Sequence, residues 1–159
     1  MATLPQLLEE DIRRIDDALN DYLERSDAAS ALVIDKGGFL ITHRGDARQF
    51  DLTTIAALAS GAFLANQTIA NLIHENDFES VYQQGVKHSI FVANIDEQCL
   101  LLVIFPCKTG VGVVKYHSIE ARTRIAKQLI LAQARDPEAG LDLSVANMAD
   151  PSELFKRRA

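Results

Sequence analysis

Apolar and polar positions along the chain predict eight regular elements and a tail. Between residues 5 and 25, Leu8, Ile12, Ile15, Leu19 and Tyr22 recur at three- and four-residue steps, with Glu, Asp and Arg on the other faces. That spacing predicts an amphipathic helix. Residues 30–35 (SALVID) and 38–43 (GFLITH) predict two short strands around the break DKGG, and so short a connection makes them antiparallel. Gly37 or Gly38 supplies the positive φ that such a hairpin requires. Asp51 stands at an N-cap position ahead of a long helix from about Leu52 to Ile73. Residues 78–84 (FESVYQQ) alternate weakly and predict an edge strand, followed by strands at 89–94 and 98–105. LLLVIF is apolar at every position, which predicts burial on both faces. TGVG then leads into a third long helix, with Val114, Ile119, Ile125, Leu129 and Ala132 on one broad face.

The order α-β-β-α-β-β-β-α predicts an α+β fold with three layers, α/β/α, around a five-stranded antiparallel sheet. The middle helix covers one face, and the first and last helices cover the other. Residues 1–135 are expected to form this domain. Residues 136–159 are expected to be a flexible C-terminal tail, because Pro137, Gly140 and alternating polar residues interrupt the pattern. Asp150, Pro151 and Glu153 occupy N-cap, N1 and N3 positions, which predicts one short helix within that tail.

The middle helix carries more apolar surface than one sheet can cover. Leu52, Ile55, Ala59, Phe63, Ala70 and Ile73 form one stripe, and Leu58, Ala65, Ile69 and Leu72 form a second. The first can bury against the sheet; the second needs another partner. Ala57, Gly61 and Ala65 repeat every four residues and would let another backbone approach. Glycine inside a helix costs about 0.8–1.0 kcal/mol relative to alanine, and a close contact at Gly61 would offset that.

Composition narrows the function classes. A chain of 159 residues suits one domain and can bury a core without disulfides or metals. A net charge of −6 argues against nucleic-acid binding, which needs a basic footprint. Leu52–Ile73 contains no charged residue, but Thr53, Thr54, Ser60, Asn66, Gln67, Thr68 and Asn71 interrupt it, so no membrane insertion is expected. The N-terminal stretch reads as no secretory signal. A cytoplasmic setting follows, with both thiols reduced.

The candidate chemistry is thin. Cys99 and Cys107 have no metal-ligand spacing, and none of His43, His74, His88 and His117 lies four residues from another. TGVG lacks the lysine and hydroxyl of a phosphate loop. Glu9, Glu10, Asp16 and Asp17 read as a solvated face. No metal, cofactor or catalytic constellation is expected, and the two-sided apolar helix points to a protein that binds proteins.

VIDKGGFLI, DLTTIAALASGAFLANQTIANLIHENDF, the YQQG and LLLVIF strands and GVGVVK together resemble the roadblock family of dynein light chain-like domains. The resemblance covers roughly residues 5–135, and within the family it is similar to bacterial MglB-type regulators. It implies a homodimer in which two sheets join edge to edge and the middle helices pack together. Leu58, Ala65, Ile69, Leu72, Phe78 and Val81 would form that interface. It further implies binding to a small Ras-like GTPase of the MglA type in its GTP-bound state. Hydrolysis would be stimulated by holding the GTPase's own residues in place, since positioning and charge stabilisation are most of phosphoryl-transfer catalysis. Ala57, Gly61, Leu64 and Thr68 would meet the GTPase, with Met148, Leu154 and Phe155 of the tail as further anchors. Related proteins tend to have smaller residues where this chain has Leu64, Gln67 and Thr68, and tails more acidic than KRRA. The alternatives are a scaffold of the same fold that does not activate a GTPase, and a small-molecule sensor domain.

Overall fold

The computed structural model describes residues 4–135. The expected tail helix, with Met148, Leu154 and Phe155, lies outside the described residues. The elements are α1 (Glu9–Ser26), β1 (Ser30–Asp35), β2 (Leu40–Gly45), α2 (Leu52–Leu72), β3 (Ser80–Gln83), β4 (His88–Asn94), β5 (Cys99–Pro106) and α3 (Val111–Ala134). The strands form one antiparallel sheet in the order β2-β1-β5-β4-β3. This is the α+β, α/β/α arrangement expected from the element order.

β5 sets the architecture. Its residues from Cys99 to Phe105 are all buried, and it pairs with β1 on one side and β4 on the other. Side chains alternate across a strand. Leu100, Leu102 and Ile104 therefore pack with Leu32, Ile34, Ala56 and Phe63 beneath α2. Cys99, Leu101, Val103 and Phe105 pack with Ile15, Leu19, Tyr22 and Ile125 beneath α1 and α3. Burial pushes the Cys99 thiol up to about 12, so it behaves as a core hydrophobe.

Two turns place these elements. Asp35 accepts from the Gly37 amide at 3.1 Å, and Gly38 takes the left-handed conformation at φ +101°. Of the two glycines in DKGG, Gly38 is therefore the one that the hairpin requires. Gly45, at φ +99°, ends β2, and a Cβ there would overlap the Ala29 carbonyl oxygen.

Several faces differ from those expected by periodicity. α1 begins at Glu9 rather than near residue 5, because Leu8 is its N-cap and Leu4 and Leu7 pack on the core as a lead-in. Ile73 does not complete the buried stripe of α2. The helix ends at Leu72, His74 turns the chain at φ +63°, and Ile73 is 59% exposed. Ile119 is 54% exposed, while Ser118 and Ala121 take the buried positions of α3. The core side of α3 alternates small residues (Ser118, Ala121, Ala132) with Val114, Ile125 and Leu129, and α1 packs beside it.

Asp11 is the polar group that periodicity misses. It lies fully buried beside the acidic face of α1. It accepts from the Leu8 amide at 2.8 Å, from Gln128 Nε2 at 2.6 Å and from both terminal nitrogens of Arg135 at 2.9 Å. This tie joins the start of α1 to the end of α3. The Arg135 guanidinium hydrogen bond holds its carboxyl well below the usual carboxylate range, against the opposing effect of burial. The carboxylate thus contributes stability that is complete above about pH 4, its unfolded value, and is lost as pH falls below it. We expect Asp11→Ala to lower unfolding free energy by about 2–3 kcal/mol near pH 7. In urea melts, the difference from the parent chain should shrink between about pH 4 and pH 2.

Candidate functional site

α2 comes closest to β1 and β2, and its Ala56 and Phe63 share a core with Leu100, Leu102 and Ile104 of the central strand β5. Asp51 caps it, accepting from the Thr54 amide at 3.2 Å and the Thr54 hydroxyl at 2.6 Å. Those bonds, the hydroxyl first, hold the Asp51 carboxyl below its ordinary value. Leu52, Ala56, Ser60, Phe63 and Ala70 face the core. Ser60 donates its hydroxyl to the Lys36 carbonyl of the β1–β2 hairpin, and a Cβ on Gly38 would sit 3.5 Å from the Ala57 Cα. The hairpin thereby fixes one flank of α2.

The other flank is open. A cleft of about 260 Å³ runs between α2 and the strands β3 and β4. Ile55, Leu58, Ala59 and Ala62 form its helix wall, and Val81, Ile90 and Val92 form part of its floor. Asn66 and Gln83 are its polar members. Beside it runs β3, which among the described residues pairs only with β4 and so presents a free strand edge.

The solvent face of α2 is uncharged along its length and mainly apolar, with Thr53, Thr54, Thr68 and Asn71 as its exposed polar residues. Leu58 is 69% exposed and Leu72 76%, with Ile69 and Leu64 about half exposed. Helical geometry divides this face into two adjoining lines. Leu58, Ala65, Ile69 and Leu72 fall toward the cleft, where Leu58 forms part of the wall. Ala57, Gly61, Leu64 and Thr68 fall toward the hairpin, where Ala57 meets Gly38. Nothing else in the described chain lies within 4 Å of a Cβ placed on Gly61. The close contact expected at this glycine is not made within the described chain. Val81 packs partly onto the α2-side core, and Phe78 is half-buried, its carbonyl accepting from Asn94. These two are thus partly engaged already. Ala62, Asn66, Gln83 and Ile90 are cleft members that the spacing of α2 did not single out. Only the position of β3 and β4 identifies them.

The site offers surface rather than reactive groups. Among the described residues no cluster of three His, Cys, Asp or Glu side chains could hold a metal ion. By length and composition α2 could cross a membrane, but here it lies against the sheet.

A model of the Roadblock/LC7 domain matches residues 14–105, more than half of the chain. The chain belongs to the Roadblock/LC7 family. Three solved structures of the family's MglB proteins are similar to it. The gliding protein MglB of Thermus thermophilus is 27% identical, covers 81% of this chain and 98% of its own, and superposes with a TM-score of 0.75. MglB of Myxococcus xanthus is also 27% identical, with 80% and 96% covered and a TM-score of 0.75. A structure described as MglB with a tetrameric arrangement is 27% identical, with 83% and 99% covered and a TM-score of 0.77. No curated protein sequence matches the chain. The Roadblock/LC7 fold is that of a regulatory domain family rather than a catalytic one.

In this Roadblock/LC7 domain the hairpin tie is expected to be measurable. Ser60→Ala should cost about 1 kcal/mol in chemical unfolding, because it leaves the Lys36 carbonyl without that donor.

Proposed function

We propose that this Roadblock/LC7 chain is a homodimeric regulator of a small Ras-like GTPase, acting in the cytoplasm on the GTP-bound state. The observation that carries the reading is the uncharged apolar face of α2, standing beside an open cleft and the free edge of β3. Its two lines suit two partners. Leu58, Ala65, Ile69 and Leu72, with Phe78 and Val81, would pack against the second copy. Ala57, Gly61, Leu64 and Thr68 would then form a shallow platform for the GTPase across the paired helices. Small side chains at 57 and 61 leave room for a partner's backbone. The platform would stimulate hydrolysis by holding the GTPase's own catalytic residues in place. Met148, Leu154 and Phe155 would add a second contact and influence nucleotide exchange. The similarity to MglB over most of the chain supports this reading.

A second reading has one observation in its favour. Leu64 is 46% exposed and projects from the platform, which would suit a scaffold that holds a GTPase without speeding hydrolysis.

GTP turnover by a Ras-like GTPase encoded near this chain separates the two. We expect acceleration of roughly 10- to 100-fold by positioning alone. Binding without acceleration would establish the scaffold, and no binding to any GTP-loaded partner would sink both. Gly61→Arg should abolish GTPase binding, yet the chain should melt no lower than the parent, since the added side chain meets open space. Leu58→Glu should shift sedimentation from dimer to monomer at micromolar concentration. A persistent dimer would show that the second copy binds elsewhere.

A further inference from the structure

A second apolar surface lies on the opposite side of the sheet from α2. On α3, Tyr116, Ile119 and Ile130 are 69%, 54% and 63% exposed. Their spacing of three and eleven residues puts them on one solvent-facing line. Thr123 and Ala126 fill the turns between them, and Lys115 and Lys127 border it. Beside the line, a groove of about 250 Å³ between α1 and α3 is lined by Arg14, Asp17, Arg124, Lys127, Gln128 and Leu131. Of its bases, Arg14 pairs with Glu10 and Arg124 with Asp21, which leaves Lys127 without an acid partner among the described residues. The surface belongs to neither line of α2, and no described residue covers it.

We propose that the chain's own segment 141–155 docks in cis along this line of α3. The segment follows Arg135, which Asp11 anchors at the end of α3. Pro137 and Gly140 come first, and they suit a reversal of chain direction. Leu141, Leu143, Val145 and Met148 then offer apolar side chains. Within the segment, Asp142, Asp150 and Glu153 complement Lys115 and Lys127 on α3, and Lys156, Arg157 and Arg158 fall beyond the docked stretch. Reach is sufficient. α3 has 24 residues and so is about 36 Å long, while about fifteen residues span about 50 Å extended. The tether gives an effective concentration of about millimolar. Closing so short a loop costs little, so a contact too weak to form between separate molecules is enough here. Docked there, the segment lies away from the α2 platform until a partner claims it.

Hydrogen exchange of the full chain, with no GTPase present, tests this. Backbone amides in 141–155 should exchange about tenfold more slowly than in the Ile119→Glu/Ile130→Glu double variant. Both substitutions are at exposed positions, so an unchanged thermal midpoint confirms that the core is intact. Raising salt to about 1 M should weaken the protection through screening. Equal exchange in both chains would overturn the proposal. So would protection that survives the double variant and disappears in Leu58→Glu, which puts the segment in the α2 cleft. Protection that falls on dilution would also overturn it, because it assigns the line on α3 to a second copy. None of these outcomes depends on GTPase binding.

Discussion

A strand that is apolar at successive positions cannot leave either face to water. β5, buried from Cys99 to Phe105, therefore forces two covering layers on the sheet. Two helices supply one layer, and a single helix supplies the other. α1 and α3 together close their face over Ile15, Leu19, Tyr22, Ile125 and Leu129. α2 alone spans too little width. Centred toward β1 and β2, it covers Leu32, Ile34, Leu100 and Leu102 but leaves a cleft over β3 and β4. The unequal number of helices on the two sides therefore generates the opening at which a partner would dock.

α2 serves as core element and as surface at once, and its polar residues show how it is held in that position. Ser60 faces inward and bonds the hairpin, so a hydroxyl in the buried line has its partner. Ala57 allows Gly38 to come close. With one flank fixed, the exposed leucines and isoleucines are presented in a set orientation instead of collapsing onto the open cleft. Such a helix favours binding over chemistry, because no ionisable group stands on it between Asp51 and His74.

On the opposite side, Asp11 performs a similar locking function by charge. Its carboxylate satisfies an amide at the start of α1, an amide side chain within α3 and the guanidinium at the end of α3. A buried carboxylate is tolerable because each oxygen has donors and one donor is a cation. This tie fixes where the chain leaves the domain, and so which surfaces the following segment can reach.

The elements were legible in the residues alone. Short apolar runs between turn signals marked the strands, three- and four-residue recurrence marked the helices, and DKGG and Asp51 marked turn and cap. These are local steric and hydrogen-bonding preferences, so neighbouring residues suffice to read them. The second apolar stripe of α2 was also legible, since Leu58, Ala65, Ile69 and Leu72 exceed what one buried face requires. Packing chose which of several similar faces met the sheet. Ile119 and Ile73 were placed on apolar stripes yet remain exposed, because Ile119 turns to the solvent line of α3 with Tyr116 and Ile130 and α2 stops a residue before Ile73. Nothing local sets Asp11 apart from the other acids of α1; its role comes from Arg135, 124 residues away. The cleft had no signature in the sequence. Its walls come from α2, β3 and β4, and only the packing of those separate elements brings them together.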